Sequence, residues 1–386
     1  MFNWFKSFRK KESAINRALT LFLPLEQGVS TPTDYASLAR EGFSQNSVVF
    51  ACVKEIATAG ASVPWKIFRT SSDGSRKELL DHPLLKLLAN PNPLQGRFEF
   101  FESVLSYLYL SGNTFIETVH TGQSQTPREL YSLRPDRVRV IPHPVTLVQG
   151  YEYSAGGEKV RFPRDRILHM KMFHPLDDFY GLSPIQVAAL AINKMNAADQ
   201  WNSALLQNAA VPSGALVSKE RLTEEQFDRL RQEMRDQMQG VRNAREPLLL
   251  EQGLDWKELS VNPKDMDWIE GMRISATQIA QIYNVPPELV GLQPATYQNR
   301  KEARKALYTE VICPALNRLR DSLNHWLTPK FGADLFLDYS KENIEALSED
   351  VDALWRRART SDFLTINEKR RLVGFNDIED GDSLKS

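Results

Sequence analysis

The stretch that decides the fold is Gly181-Leu182-Ser183-Pro184-Ile185, which continues as QVAALAINKMNAADQWNSALLQNAA to residue 210. Ser183 suits the N-cap of a helix and Pro184 suits its first position, and apolar residues then recur three or four positions apart. The pattern predicts one helix over 183–210, about 40 Å long at 1.5 Å per residue. Such a length is natural for a strut. Pro212 and Gly214 follow and end it.

Residues 41–182, ahead of this helix, alternate between helix and strand patterns. Apolar residues at helical spacing predict helices over 46–59, 81–88 and 98–110. Short β-branched and aromatic runs predict strands over 64–68, 114–119, 137–141, 151–153, 159–162 and 167–173, with Gly156-Gly157 as a hairpin turn. The first half of the chain is therefore predicted to be an α+β domain.

Residues 211–262 are predicted to form a small α/β insertion. Strands are expected over 215–218, 247–251 and 255–261, around a helix that Thr223 and Gln226 open as a capping box. A second long helix is predicted over 263–285, and Pro286-Pro287 ends it. The insertion therefore lies between two struts.

The rest of the chain is predicted to be a polar connection, a third helix and a helical tail. Residues 286–299 form the connection. Residues 300–345 hold a long helix with Asn299 as its N-cap, running to about Trp326, and then a strand over 335–338. Residues 346–386 form the tail, with Trp355 and Leu364 as anchors.

Charge and cysteine content limit the classes of function. The 386 residues include 48 Lys and Arg and 49 Asp and Glu, a formal net charge of -1, which excludes a chain built to coat nucleic acid. Cys52 and Cys313 are too few and too far apart for a disulfide framework or a Cys-based zinc site. They favour synthesis in a reducing cytoplasm.

Residues 1–40 are predicted to be an N-terminal arm. The apolar run 18–25 is short, contains Pro24 and lacks a small-residue cleavage site, so it fails as a signal peptide and as a membrane span. Aromatic and basic residues are interleaved over 1–11 and could touch a membrane surface. The favoured interpretation is an arm that docks on a neighbouring subunit or stays disordered, with no stable membrane association.

The sequence contains no recognisable catalytic motif. No Gly is followed by Lys, so a phosphate-binding Walker loop is absent, and Gly-x-Ser-x-Gly is absent too. His169 and His174 with Asp177 and Asp178 come nearest to a metal cluster, but strand alternation favours His169 as a polar-face residue. We therefore predict no catalytic residue, no metal and no cofactor.

Three basic clusters raise the question of phosphate binding. Acidic neighbours dilute each of them, and a solvated helix face is favoured over a phosphate contact. The clusters lie at residues 242–245, 300–305 and 356–359.

Several phrases, taken in order and spacing, resemble the portal protein family of long-tailed bacteriophages, which also occurs in prophages and gene transfer agents. The resemblance covers about residues 40–382. The phrases are residues 46–53 (NSVVFACV), 63–65 (VPW), 82–84 (HPL), 91–93 (PNP), 110–113 (LSGN), 181–185 (GLSPI), 279–280 (IA), 285–291 (VPPELVG), 313–314 (CP), 364–368 (LTINE) and 381–382 (GD).

The resemblance implies a ring, usually of twelve subunits, at one capsid vertex, with a central channel for packaging and ejecting double-stranded DNA. The implied division is an arm (1–40), a wing (41–182), stem helices (183–210 and 263–285), a clip (211–262), a tunnel-loop region (286–299), a long helix with a wing return (300–345) and a crown (346–386). Implied partners are the large terminase, a head-tail adaptor, the major capsid protein and DNA bound without sequence specificity. The implied location is the virion, after assembly in the host cytoplasm.

Three sets of residues become candidate sites in this architecture. A mobile tunnel loop is expected to meet DNA through Gln293, Thr296, Tyr297, Gln298, Asn299, Arg300 and Lys301. Arg229 and Arg235 in the clip are expected to dock the packaging motor. Trp201, Leu205, Ile279 and Ile282 exceed what two antiparallel helices need to bury, so they are expected to pack against neighbouring subunits.

Two other classes of protein remain as alternatives. A DNA-acting enzyme would need clustered carboxylates or a nucleotide-binding loop. Another head-tail structural protein, an adaptor or a scaffold, would predict a much shorter or largely helical chain. The long mixed chain with an insertion between two struts disfavours both.

Overall fold

The computed structural model describes residues 38–71, 75–121, 126–207, 214–218, 223, 225, 228–229, 254–258, 268–342, 344–347, 351–373, 375, 378 and 381–382. Within these residues helices and antiparallel strands are mixed along the chain, which confirms the predicted α+β class.

A π-helical turn (Leu38–Ser44) precedes the first α-helix, and the first two α-helices begin at residues whose side chains cap them. Asn46 Oδ1 accepts a hydrogen bond from Val49 N at 3.1 Å, and His82 Nδ1 accepts one from Leu84 N at 3.2 Å. Gly112, with φ of 71°, ends the third helix in the left-handed conformation that glycine tolerates best. The helices are α1 (Ser47–Ser62), α2 (Pro83–Ala89) and α3 (Arg97–Ser111).

Eight strands of the first half enter three antiparallel sheets. They are β1 (Trp65–Thr70), β2 (Arg76–Leu79), β3 (Asn113–Val119), β4 (Glu129–Leu133), β5 (Val138–His143), β6 (Leu147–Ala155), β7 (Glu158–Pro163) and β8 (Ile167–Lys171). Gly156 and Gly157 have φ of 61° and 88°, so they form the predicted turn between β6 and β7.

The sheet β4-β3-β8 lies between two apolar clusters. Ile116 and Leu168 belong to the main core with α1 and α3, whereas Phe115 and Ile167 belong to a second core with β5 and β6. Alternate residues of a strand point to opposite faces, so one strand serves both cores. The prediction that His169 lies on a polar face is therefore wrong, because a second sheet covers that face and His169 stacks on Phe115 with ring centroids 4.1 Å apart.

The predicted struts are two long helices with a strand pair between them along the chain. They are α4 (Pro184–Gln207) and α5 (Trp268–Ile282). Strands β9 (Gly214–Ser218) and β10 (Leu254–Glu258) pair in antiparallel register between them. The predicted strand over 247–251 and most of the predicted insertion helix fall outside the described residues.

The helix that was predicted to start after Asn299 begins earlier than expected. Thr296 is its N-cap, since Thr296 Oγ1 accepts from Asn299 N at 3.3 Å, so the prediction of Asn299 as N-cap is wrong. Helix α6 (Tyr297–Leu307) passes through a π-helical turn (Tyr308–Ile312) into α7 (Cys313–Trp326), whose end agrees with the prediction. Pro314 lacks an N–H and its ring crowds the preceding turn, and the wider π turn accommodates it.

The chain then returns to the first sheet and ends in a helical pair. Strand β11 (Leu335–Tyr339) pairs with β1, from Trp65 opposite Tyr339 to Arg69 opposite Leu335. The tail holds α8 (Val351–Thr360) and α9 (Ile366–Leu372). Thr365 and Glu368 form a reciprocal capping box at the start of α9.

Candidate subunit and nucleic-acid interfaces

The end of α3 and the start of α4 meet at a tightly packed joint. Ser183 Oγ donates to Leu110 O at 2.6 Å and accepts from Gln186 N at 3.4 Å, so the N-cap of α4 is also tied to α3. A Cβ on Gly181 would lie 2.2 Å from Gly112 O, and one on Gly112 would lie 2.4 Å from Leu182 O. Two backbones approach there at a distance that only glycine permits.

Asn113 fastens this joint from inside the protein, where it is fully buried. Its Nδ2 donates to Ser111 O at 2.8 Å and to Gly181 O at 3.3 Å. Its Oδ1 accepts from Gly181 N at 2.8 Å and from His169 Nε2 at 3.0 Å. The first long helix therefore leaves the α+β domain at an angle that one buried amide fixes.

His169 contributes to the joint as a neutral donor. Because Asn113 Oδ1 also accepts from Gly181, the imidazole must supply the proton of the shared contact. Burial of the ring lowers the pKa of His169 to about 3, and the nearby Lys171 charge lowers it further. Among the described residues, no group of three or more His, Cys, Asp or Glu side chains is placed to hold a metal ion.

The two long helices run antiparallel. Val187 and Ile282 line one groove at the start of α4, while Asn202 Nδ2 lies 3.9 Å from Met272 Sδ towards its other end. Of the residues predicted to pack against neighbours, Ile279 is fully buried within its own chain and Ile282 is half-buried. The side chains of Trp201 and Leu205 fall outside the described part of the structure.

Other apolar residues of this helix pair face outward. Val187 and Leu190 on α4 are 54% and 69% exposed, and Ile274 on α5 is 50% exposed. The first two border a groove of about 380 Å³ that Gln278, Gln281 and Ile282 complete. Sequence periodicity counted Val187 and Leu190 in the apolar stripe of the helix, but it could not show that the residues described in the structure leave them exposed.

The predicted tunnel-loop residues are all exposed, but they do not form one loop. Gln293 precedes Thr296, the N-cap, and Tyr297, Gln298 and Asn299 are already the first turn of α6. Gln298 Nε2 donates to Glu302 Oε1 at 3.2 Å along the helix. The expected loop over 293–299 is thus corrected to a loop that ends at Thr296, because the threonine hydroxyl starts the helix three residues early.

A basic groove follows one face of α6. Tyr297, Arg300, Lys301, Arg304 and Tyr308 lie three or four residues apart, so they share that face, and Glu345 and Ala346 close the other side of a space of about 440 Å³. Arg304 also pairs with Glu55 at 3.1 Å. Sequence reasoning proposed Tyr297, Arg300 and Lys301 as DNA contacts. It placed Arg304 in a basic cluster for which a solvated helix face was favoured, and it missed Tyr308, which its helical spacing from Arg304 could have revealed.

The predicted docking residues Arg229 and Arg235 belong to the inserted segment 211–262. Arg229 is helical and exposed, and Arg235 falls outside the described residues. Among the helices that the structure describes, none combines the length and apolarity needed to cross a bilayer.

Comparison with known proteins assigns the family. The family model described as phage portal protein matches residues 47–374. The chain belongs to the phage portal protein family. A protein of Rickettsia bellii is 38% identical over 354 residues, covering 89% of this chain and 90% of the relative. The portal protein of Enterobacteria phage HK97 is 26% identical over 359 residues, covering 90% of this chain and 82% of its own.

Two solved structures share the fold. A chain in the neck of a native gene transfer agent particle, determined with C12 symmetry, is 40% identical, with a TM-score of 0.73 over 95% of this chain and 100% of that chain. An HK97-family phage portal protein from Corynebacterium diphtheriae has a TM-score of 0.54 at 16% identity, over 81% of this chain and 96% of its own. The resemblance inferred from short phrases is therefore confirmed.

Proposed function

We propose that this protein forms a ring of twelve copies at one vertex of a capsid, and that double-stranded DNA enters and leaves the particle through the ring. The observation that carries the proposal is the 40% identical chain of the gene transfer agent neck, whose full length this chain matches. The C12 symmetry of that neck supports twelve copies. The role is that of a structural conduit, and the packaging enzyme is a separate partner.

The outward apolar face of α4 and α5 supports contact between neighbouring copies. Val187, Leu190 and Ile274 expose half or more of their surface on the same pair of helices. Val187 and Leu190 border the same groove, and an exposed apolar groove of this kind is typical of a protein interface. A cyclic ring repeats one head-to-tail contact, so the same face is covered in every copy.

The basic groove on α6 supports contact with the DNA backbone. Arg300, Lys301 and Arg304 attract phosphate by charge and read no sequence, and Tyr297, 87% exposed, offers a hydroxyl beside them. The chain as a whole has a net charge of -1. A conduit that meets DNA through a small basic groove holds it loosely, whereas a strongly basic channel would bind DNA with the steep salt dependence that opposes sliding.

The remaining partners follow from the same proposal. The inserted unit over 211–262 receives the large terminase during packaging and the head-tail adaptor afterwards, with Arg229 and Arg235 as docking residues. The major capsid protein surrounds the ring in the virion, and assembly takes place in the host cytoplasm. The exposure of Arg229 supports this placement.

One experiment tests the ring and the DNA contact separately. Wild-type protein is expected to give a large cyclic species in analytical ultracentrifugation and rings with a central hole in negative-stain images. A variant with Val187→Asp and Leu190→Asp is expected to remain small while keeping its helix content. A variant with Arg300→Gln and Lys301→Gln is expected to form normal rings but to change the amount of DNA retained in particles.

Matched variants serve as controls. Leu94→Asp, the control for the α4 variant, places a charge at an apolar residue that is 82% exposed. Lys77→Gln, the control for the α6 variant, removes a charge from β2. Both controls should behave as wild type. Wild-type protein that stays monomeric at every concentration refutes the ring. Normal DNA content in the Arg300 and Lys301 variant removes the α6 groove from the mechanism. Deleting residues 296–298 would be a less specific test of the DNA contact, because it would also remove Thr296, the N-cap of α6.

A further inference from the structure

We infer that the helical tails of neighbouring copies interlock, with the loop at Asp362-Phe363 of one copy seated in the groove between α8 and α9 of the next. The inference rests on the proposed ring and names a contact surface within it. The observations that carry it are an uncovered apolar groove and an uncovered aromatic side chain in the same small unit.

The groove has an apolar floor and a basic rim. Its volume is about 650 Å³, much larger than a phenyl ring. Trp355 and Phe375 form one wall, with ring centroids 6.1 Å apart, and they are 51% and 50% exposed. The floor is completed by Ala358, Ile366 and Val373, and the rim carries Arg359, Lys369 and Arg370.

The loop presents its aromatic residue on firm supports. Phe363 is 76% exposed, and Asp362 beside it is exposed too. Ser361 is buried at the end of α8, and the Thr365 capping box fixes the start of α9. A short loop held at both ends by helices offers a preformed contact, which lowers the entropy lost on binding.

The residues that the structure describes cover neither the groove nor Phe363. A rotation about a ring axis leaves the height and radius of every atom unchanged, so the tail unit of one copy lies level with the tail units of its neighbours. The contact is head to tail, as a ring requires, because the loop of one copy meets the groove of the next. Asp362 would then approach the cations of the rim, which gives the interface complementary charge.

The phosphates of packaged DNA are the other partner that a basic rim could attract. The floor of the groove argues against them, since aromatic and aliphatic side chains gain from burying an apolar group and gain nothing from a phosphate. A second copy of this chain supplies both the phenyl ring and the carboxylate. It is therefore the occupant that the groove fits.

An exchange of charges between copies tests the contact. Variant A carries Asp362→Arg, and variant B carries Arg359→Glu with Arg370→Glu. Each variant alone sets like charges against each other at every interface, so the protein concentration needed for half-assembly of rings should rise about tenfold or more. An equal mixture should assemble like wild type, because a ring of twelve can alternate A and B and restore opposite charges at every contact.

The outcomes distinguish a failure of the tail contact from a failure of the proposed ring. Normal ring assembly by A and B alone overturns the interlock, and so does a mixture that fails to recover although both variants keep wild-type circular dichroism. Normal rings that lose DNA retention would assign the groove to DNA and also overturn it. Phe363→Ser should weaken assembly while Leu94→Ser does not. Wild-type protein that forms no rings would instead refute the proposed function.

Discussion

Replacing Asn113 by alanine removes the amide that fastens α4 to the α+β domain. The substitution deletes two donated bonds, to Ser111 O and Gly181 O, and two accepted bonds, from Gly181 N and His169 Nε2. The N–H groups of Gly181 and His169 then face a buried site without an acceptor. A buried donor left unsatisfied costs about 1–3 kcal/mol, so the two together should cost about 2–6 kcal/mol.

The assay is equilibrium urea unfolding followed by tryptophan fluorescence, at one fixed protein concentration because assembly also stabilises the folded chain. The matched control is Asn299→Ala, which removes the same side chain from an exposed position and should change the free energy of unfolding by less than about 0.5 kcal/mol. A loss below about 1 kcal/mol for Asn113→Ala would show that the joint does not depend on this amide.

Two further predictions concern His169 and Asn367. Burial lowers the pKa of His169 from 6.5 to about 3, so below pH 6.5 the unfolded chain binds a proton that the folded chain refuses, and stability falls as the pH falls. Between pH 6 and 4 the free energy of unfolding of His169→Gln should fall less steeply than that of wild type, by up to about 1.4 kcal/mol per pH unit. Equal pH slopes for the two proteins, measured by urea unfolding at several pH values, would contradict this. Asn367→Ala removes contacts with Ile378 N, Ile378 O and Asp382, so hydrogen exchange at residues 366–382 should accelerate while α1 and α3 stay protected. Unchanged exchange there would show that Asn367 does not hold the tail.

Local sequence patterns predicted most of the helices but missed two strands. Strand β2 has the sequence RKEL and is largely exposed, so it carries no alternation of apolar and polar residues. Strand β4 pairs with β3 from Leu133 opposite Phe115 to Glu129 opposite Val119. Its five residues are too few for a clear period of apolar and polar side chains. The pairing of β11 with β1 joins residues about 270 positions apart in the chain, and nothing local in either strand specifies that partner.

The candidate sites were predictable only in part, for a related reason. Helical spacing showed that Val187, Leu190 and Ile279 are apolar positions of long helices, but the same spacing cannot show which chain covers each one. The structure buries Ile279 in its own core and leaves Leu190 69% exposed. Thr296 and Asn299 are both good N-caps three residues apart, so local chemistry alone left the start of α6 ambiguous.

The tight joint at Gly181 has a mechanical reason that follows from the length of α4. A helix of 24 residues is about 36 Å long, so a tilt of about 5° at Ser183 displaces its far end by about 3 Å. Such a displacement is larger than a packed interface tolerates, because a gap of about 0.5–1 Å between packed atoms already loses part of their van der Waals attraction. In the proposed ring every copy would repeat the same error. Backbone held against backbone at Gly112 and Gly181, and pinned by Asn113, resists that tilt better than long side chains with several rotamers could.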